Sequence, residues 1–285
     1  MTHGRGDIQA LLAEHDLRPS RALGQNFVAD GNTVRRIARL AGVGPGTQVV
    51  EIGAGLGSLT LALAETGASV TAVEVDRHVV PVLRSQVEPL GVRVVEADAL
   101  RVDWDELLGP APGPDAPAPW TLVANLPYNV AVPLVIGVLE KAPQVASLLV
   151  MVQREVGERL AAGAGDEAYG AVSVKVAYWA EASVVGRVPA TVFIPRPKVE
   201  SVLVRLDRRP RPAGAAGSVA YGRLFEVVRA GFGQRRKMLR RSLDGVVTPG
   251  AFEAAGVAPT ARAEELDLEE WGRLAAVGPP GEATP

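Results

Sequence analysis

The chain has no cysteine and only three histidines, His3, His15 and His78, in 285 residues. Disulfides, thiolate metal centres and cysteine nucleophiles are therefore excluded. The RNA cytosine-C5 methyltransferases go with them, because their chemistry needs a thiolate to attack the ring. A His-rich metal site is not expected, and no metal is assigned. Long apolar runs are also missing: the longest are too short and too interrupted to span a bilayer. The first residues, MTHGRGDIQALLAEHDL, contain acids and no apolar stretch of the kind a secretory signal needs, so the chain is expected to be cytoplasmic. Apolar side chains still make up 47% of the sequence, enough for one large domain or a large one with a small one.

The net charge of −2 says nothing by itself about a polyanionic partner, but its distribution does. Residues 187–241 carry 14 Lys and Arg against 3 Asp and Glu, and the rest of the chain carries 16 against 29. A basic segment on an acidic body suggests a localised polyanion-binding face. A solvated charged surface is the other reading.

Along the chain, a short helix is expected at 8–14. A second is expected at 31–41, where Val34, Ile37, Ala38 and Ala41 fall at helical spacing. Apolar strands then alternate with helices: TQVVEI, a helix at 58–65, SVTAVEVD, a helix at 78–86, VRVVEADAL, WTLVANLP, a helix at 132–141, SLLVMVQ and a helix over REVGERLAA. Strands apolar throughout, alternating with helices, mark a parallel sheet covered on both faces. The fold class is α/β, a doubly wound, Rossmann-like sheet whose ligand site lies at the strand carboxyl ends. Residues 109–120 read as a Pro/Gly-rich surface loop. Two late strands, ASVVGRVP and KVESVLVRL, flank FIPRPK, and 208–218 reads as a linker. Helices at 219–243 and 263–275 then form a small C-terminal helical domain. The expected domains are 1–207 and 218–285.

The first strand runs into Glu51-Ile-Gly53-Ala-Gly55-Leu-Gly57 and a helix. Glycines there allow positive φ and close approach of a ligand. The G-x-G-x-G spacing is tighter than the dinucleotide fingerprint. Glu74 ends the second strand, about 20 residues on, where an acid can accept from ribose hydroxyls. Asp98 ends the third, where its carboxylate could accept from an adenine amino group. Either acid could instead be a surface residue at a loop start. No lysine or arginine lies between Glu51 and Asp76, which disfavours a pyrophosphate and favours S-adenosylmethionine, whose sulfonium is positive.

Asn125-Leu126-Pro127-Tyr128 ends the fourth strand. An adenine amine is a poor nucleophile because its lone pair is delocalised into the ring. The Asn125 side-chain carbonyl and the Leu126 backbone carbonyl could each accept one amine hydrogen and draw the lone pair out of conjugation. Pro127 stiffens the turn, and Tyr128 offers a face for a flipped or unpaired base. A plain strand-ending turn would also use Asn and Pro.

The ordered set LGQNF (23–27), VVEIGAGLG (49–57), VEVD (73–76), EADAL (96–100), NLPYN (125–129), MVQREVGERL (151–160), VFIPRPKVESVLVRL (192–206) and FGQRRKMLRRSL (232–243) resembles the KsgA-like (RsmA) small-subunit ribosomal RNA adenine N6,N6-dimethyltransferases. The resemblance implies a class I S-adenosylmethionine-dependent methyltransferase domain. Asn26 and Val28 would cover the cofactor. Gly53, with Gly55 in the same turn, Glu74 and Asp98 would hold its methionine, ribose and adenine portions, and Asn125 would touch both cofactor and target amine. Phe193 would pack on the target adenine, though it could equally be core. Gln25 reads as a loop-shaping residue rather than a catalyst. Arg235, Arg236, Lys237, Arg240 and Arg241 would line a helix face toward RNA phosphates.

The implied substrate is two adjacent adenosines in the 3′-terminal hairpin loop of 16S rRNA. The implied partner is the 30S subunit or its late precursor, with no membrane, the protein acting as a monomer. The alternatives are a 23S rRNA adenine N6-methyltransferase conferring macrolide resistance and a noncatalytic ribosome-assembly factor. Histidine is usual at the Asn26 position in the former, and the latter can lose the cofactor residues that are intact here.

Overall fold

The computed structural model describes residues 2–111, 113, 119–127, 129–209 and 214–277. The chain divides into two compact units, Met1–Gly157 with Ser183–Asp207, and Glu158–Ala182 with Arg208–Pro285. The segment Glu158–Ala182, read from sequence as part of the first domain, thus groups with the C-terminal helices.

The strands are β1 (Phe27–Val28), β2 (Gln48–Ile52), β3 (Ser69–Glu74), β4 (Arg93–Glu96), β5 (Trp120–Asn125), β6 (Val145–Gln153), β7 (Ala180–Val188), β8 (Phe193–Ile194) and β9 (Ser201–Arg208). Seven of them form one sheet in the order β4-β3-β2-β5-β6-β9-β7. β2, β3, β4, β5 and β6 are parallel, while β9 runs antiparallel to β6 and makes the sheet mixed. The chain steps outward from β2 to β4, then returns to β5 on the other side of β2. That reversal is the switch point at which doubly wound sheets open a crevice. Register brings the strand ends level, with Ile52 beside both Val73 and Ala124. Gly53, Glu74 and Asn125 therefore emerge along one edge. β1 and β8 form a separate antiparallel pair, too short to be read from sequence.

The helices of the first unit are α1 (Arg5–Glu14), α2 (Gly31–Ala41), α3 (Ser58–Ala64), α4 (Val80–Val87), α5 (Trp104–Leu108) and α6 (Ala131–Lys141); α7 (Arg154–Ala161) follows β6. α2 buries Val34, Ile37, Ala38 and Ala41, the stripe expected from their spacing. Asp30 caps it by accepting from the Thr33 amide at 2.6 Å, and Gly42 ends it in the left-handed region. The stripe packs into the core formed by α2, α3, α4 and the sheet.

The second unit contains α8 (Ala171–Trp179), α9 (Gly214–Gly217), α10 (Tyr221–Gly233), α11 (Leu239–Ser242), α12 (Pro249–Ala255) and α13 (Leu268–Ala276). They pack around fully buried Trp271, with Leu224, Phe225 and Leu274. A reciprocal cap starts α13: Asp267 accepts from the Glu270 amide, and Glu270 accepts from the Asp267 amide. The single helix expected at 219–243 is broken after Gly233, and residues 234–238 turn before α11. Glycines at 231 and 233 weaken the helix end, and Arg235 is drawn aside to the Glu264 carboxylate and the Glu167 carbonyl.

Ile37 is almost wholly buried in the first core, at 1% exposure. Ile37→Ala should therefore lower stability by about 2–5 kcal/mol. An unchanged urea midpoint would show that α2 does not anchor this core.

Candidate active site

The turn after β2 is built on three glycines at positive φ: Gly53 (75°), Gly55 (56°) and Gly57 (86°). Its backbone is tied to β3, since the Gly53 and Ala54 amides both donate to the Val73 carbonyl, at 2.9 and 3.2 Å. At Gly55 the demand is double. Its φ suits glycine, and a Cβ there would lie 2.9 Å from the Phe27 ring, which covers the turn.

Glu74, at the end of β3, is buried. Its Oε2 accepts from the Gly55 amide at 2.8 Å, and its Oε1 accepts from the Val75 and Asp76 amides at 2.9 Å each. Burial raises its pKa above the ordinary carboxylate range, against the lowering effect of those donors. Glu51, inside β2, is buried as well, and its pKa is pushed up to about 8. Loss of water is the main cause. Thr60 opposes the shift and the neighbouring Glu74 charge adds to it.

Asp98 follows β4, its side chain 42% exposed. It accepts from the Leu100 amide at 3.0 Å and pairs with Arg101 at 3.5 Å. At the end of β5, Asn125 donates from Nδ2 to the Asn26 carbonyl at 3.0 Å. The Leu126 amide then donates to Met151 and its side chain is buried. Tyr128 lies outside the described residues. Gly24, at φ 64°, sits so close to the turn that a Cβ would lie 3.0 Å from Pro127 Cβ.

Two cavities open along this edge. One is lined by Asn26, Val28, Glu51, Gly55, Glu74, Asn125 and Phe193, and the other by Val75, Ala97, Asp98 and Asn129. Gly53, Leu126 and Pro127 border both. The structure thus gathers the residues expected to hold the cofactor and target, apart from Tyr128. Phe193 is both core and lining: it is 2% exposed, pairs with Val28 across β1 and β8, and borders the first cavity.

Sequence reasoning gave no role to Glu51, Ser58, Phe27 or Val75, which also border these cavities. An acid inside the apolar run VVEIG was the available signal for Glu51. Val75 is apolar yet 48% exposed, which only the loop conformation reveals.

The basic residues Arg235, Arg236, Lys237, Arg240 and Arg241 are all exposed on the second unit. They do not share one helix face as expected. The first three lie on the 234–238 turn and only Arg240 and Arg241 are in α11, because α10 ends early. Arg235 pairs with Glu264 at 3.4 Å and donates to the Glu167 carbonyl at 3.1 Å.

Residues 17–277 match the family described as ribosomal RNA adenine dimethylase. The chain belongs to that family. It is 47% identical over 280 residues to ribosomal RNA small subunit methyltransferase A of Thermobifida fusca (strain YX), covering 94% of this chain and 93% of that one. It is 46% identical to the protein of the same name from Streptomyces coelicolor, covering 95% of each chain. Among solved structures, the 23S rRNA methyltransferase ErmE superposes with a TM-score of 0.66 at 29% identity, over 88% of this chain and 98% of ErmE. A dimethyladenosine transferase from Plasmodium falciparum shares the fold, with a TM-score of 0.71 at 22% identity over 86% of this chain and 94% of that one. As a dimethylase the chain is an enzyme, and its cofactor is S-adenosylmethionine.

The residues fit that cofactor. Glu51 Oε2 and Ser58 Oγ are buried at the first cavity without hydrogen-bond partners among the described residues. Orphaned acceptors suit a cationic ligand, because burying them unpaired is otherwise costly.

The raised pKa of Glu51 has a direct consequence for the cofactor-free protein. Between the ordinary value of 4.5 and about 8, the folded state holds a proton that the unfolded chain has released. Stability therefore falls as pH rises through this window. Relative to Glu51→Gln, the wild type should lose about 3 kcal/mol between pH 4.5 and 7. Parallel denaturant midpoints for the two proteins across that range would refute the assignment.

Proposed function

We propose that this protein dimethylates the exocyclic N6 amine of two adjacent adenosines in the 3′-terminal hairpin loop of small-subunit ribosomal RNA. It does so in the cytoplasm, as a monomer, on the 30S subunit or its late precursor. The Asn125–Asn26 hydrogen bond is the observation that carries the chemistry. With Nδ2 committed to the Asn26 carbonyl, Oδ1 is the limb of the amide left to accept from a ligand.

When bound, S-adenosylmethionine supplies an electrophilic methyl group on a positively charged sulfur. Glu51 and Ser58 present buried acceptors to its cationic end, with Gly53 and Gly55 giving backbone access. Glu74 retains acceptor capacity for ribose hydroxyls beyond its three backbone donors, and Asp98 accepts from the adenine amino group. Asn26 and Val28 close over the site. The Asn125 Oδ1 and the Leu126 carbonyl each take one hydrogen of the target amine, so that its lone pair leaves conjugation with the ring. Pro127 fixes the turn that presents these two acceptors, and Tyr128 and Phe193 pack against the target base. The amine releases its proton after transfer, so the site needs no base strong enough to ionise it first. Preorganised acceptors and proximity supply the acceleration.

Curated relatives at 43–47% identity carry names that specify the small subunit, whereas ErmE stands at 29%. That difference favours small-subunit RNA over the large-subunit alternative. Intact Gly53, Glu74, Asp98 and Asn125 favour an enzyme over a noncatalytic assembly factor.

The deciding experiment incubates the protein with labelled S-adenosylmethionine and unmethylated small subunits, large subunits or naked RNA. Dimethyladenosine in small-subunit RNA is expected, and label confined to large-subunit RNA would overturn the substrate assignment. In the same assay Asn125→Ala should lose about 100-fold or more in turnover while still binding cofactor and RNA. Wild-type turnover would remove Asn125 from the chemistry. Charge reversal at Arg236 and Lys237 should weaken RNA binding and flatten its dependence on salt, as lost phosphate contacts require. Unchanged affinity across a salt titration would move the RNA face elsewhere.

A further inference from the structure

We propose that Gln25 is a positioning residue for methyl transfer, strapping the loop that orients Asn125 to the turn that carries Glu74. The proposal rests on the role of Asn125 argued above.

Residues 20–26 contain no helix and meet a strand only at Phe27, so no ladder holds them in place. Among the described residues, three attachments do. Gly24 lies against Pro127. The Asn26 carbonyl accepts from Asn125 Nδ2. Gln25 donates from Nε2 to Asp76 Oδ2 at 2.8 Å. The first two involve the very residues to be positioned, so Gln25 is the external anchor.

The Gln25 amide is engaged at both limbs. Its Oε1 accepts from the Ser20 amide at 2.8 Å, while the Gln25 amide donates to the Ser20 carbonyl at 3.0 Å. This ring closes the loop on itself, and Nε2 then ties the closed loop outward. Asp76 is equally committed: its Oδ1 accepts from the His78 amide at 3.0 Å, and its own amide donates to Glu74 Oε1 at 2.9 Å. An unbroken path therefore runs from Glu74 through Asp76, Gln25 and the Asn26 backbone to Asn125.

The Asn125 amide is nearly symmetric in shape, so only its partners decide which limb faces a ligand. With the Asn26 carbonyl in place, Nδ2 is held and Oδ1 is presented. If the loop drifts, that preference goes. A flipped amide would set its NH2 against the NH2 of the target amine, donor against donor. Gln25 borders the first cavity, but both limbs of its side-chain amide are engaged by Ser20 and Asp76, so its influence on the reaction runs through Asn26.

The polarity of the strap makes it testable by rescue. Gln25→Glu places two carboxylates together and removes the donor. Adding Asp76→Asn restores every bond with reversed sense: Asn at 76 donates to Glu at 25, still accepts from His78, and Glu at 25 still accepts from Ser20. Turnover at saturating cofactor and RNA should fall about 30-fold in Gln25→Glu, fall less in Gln25→Ala, and return to within about threefold of wild type in the double variant. RNA affinity should stay within about twofold throughout. In cofactor-free protein, the Asn125 side-chain amide resonance, assigned by its disappearance in Asn125→Ala, should shift or broaden in Gln25→Glu and return in the double variant.

Three results would overturn the proposal: wild-type turnover in Gln25→Glu beside an inactive Asn125→Ala; a defect that the double variant does not repair; or a defect that vanishes at saturating cofactor, which would make Gln25 a binding residue only. An active Asn125→Ala would instead bring down the reading of Asn125 and this inference with it. If Gln25→Glu does not fold, Gln25→Ala and the double variant carry the same comparison.

Discussion

The buried carboxylate of Glu74 joins loops that no strand ladder joins. Its two oxygens receive amides from the glycine turn after β2 and from the segment after β3. A carboxylate so far from water is tolerated only when donors reach it, and here three backbone amides do. In return the two loops are held at fixed spacing along the sheet edge. Gly55 comes near Phe27, and Asp76 comes within reach of Gln25, because Glu74 has set the loops that carry them. The floor of the site is thus a by-product of satisfying one acid.

Over that floor lies a segment from near the start of the chain. Its hold depends on close approach as much as on hydrogen bonds. Between this segment and the floor, a side chain at Gly24 would crowd Pro127 and one at Gly55 would crowd Phe27. Both also adopt positive φ, so any other residue would be strained as well as crowded.

In the function proposed above, chemistry and RNA affinity draw on different physics. The acceptors at the sheet edge would work through short distances and exclusion of water. The exposed cations of the second unit would work through long-range attraction to phosphates, which salt screens. They are carried by the unit packed around Trp271. Among the described residues no helix is long and apolar enough to cross a membrane.

Much of the first unit was legible because its strands are apolar runs punctuated by glycine and its helices carry one-sided stripes, as in α2. Local pattern was enough to place Gly53, Glu74, Asp98 and Asn125 at strand ends, and parallel register then made those ends converge. Pattern failed where partners are remote in sequence. α8 was not anticipated: AVSVKVAYW is apolar on several sides and shows no clear polar face. The break after α10 depends partly on Arg235 reaching Glu264, 29 residues on, and the Asn125 amide is oriented by a carbonyl 99 residues away. The raised pKa of Glu51 exists only because the fold removes its water. The sequence by itself determined the order of the elements and which chemistry-bearing residues stand at their ends, since both follow from short-range periodicity. Tertiary structure alone decided which limb of an amide faces the cavity, which acid keeps its proton and which loop is strapped to which, since each of these is set by atoms that meet only after folding.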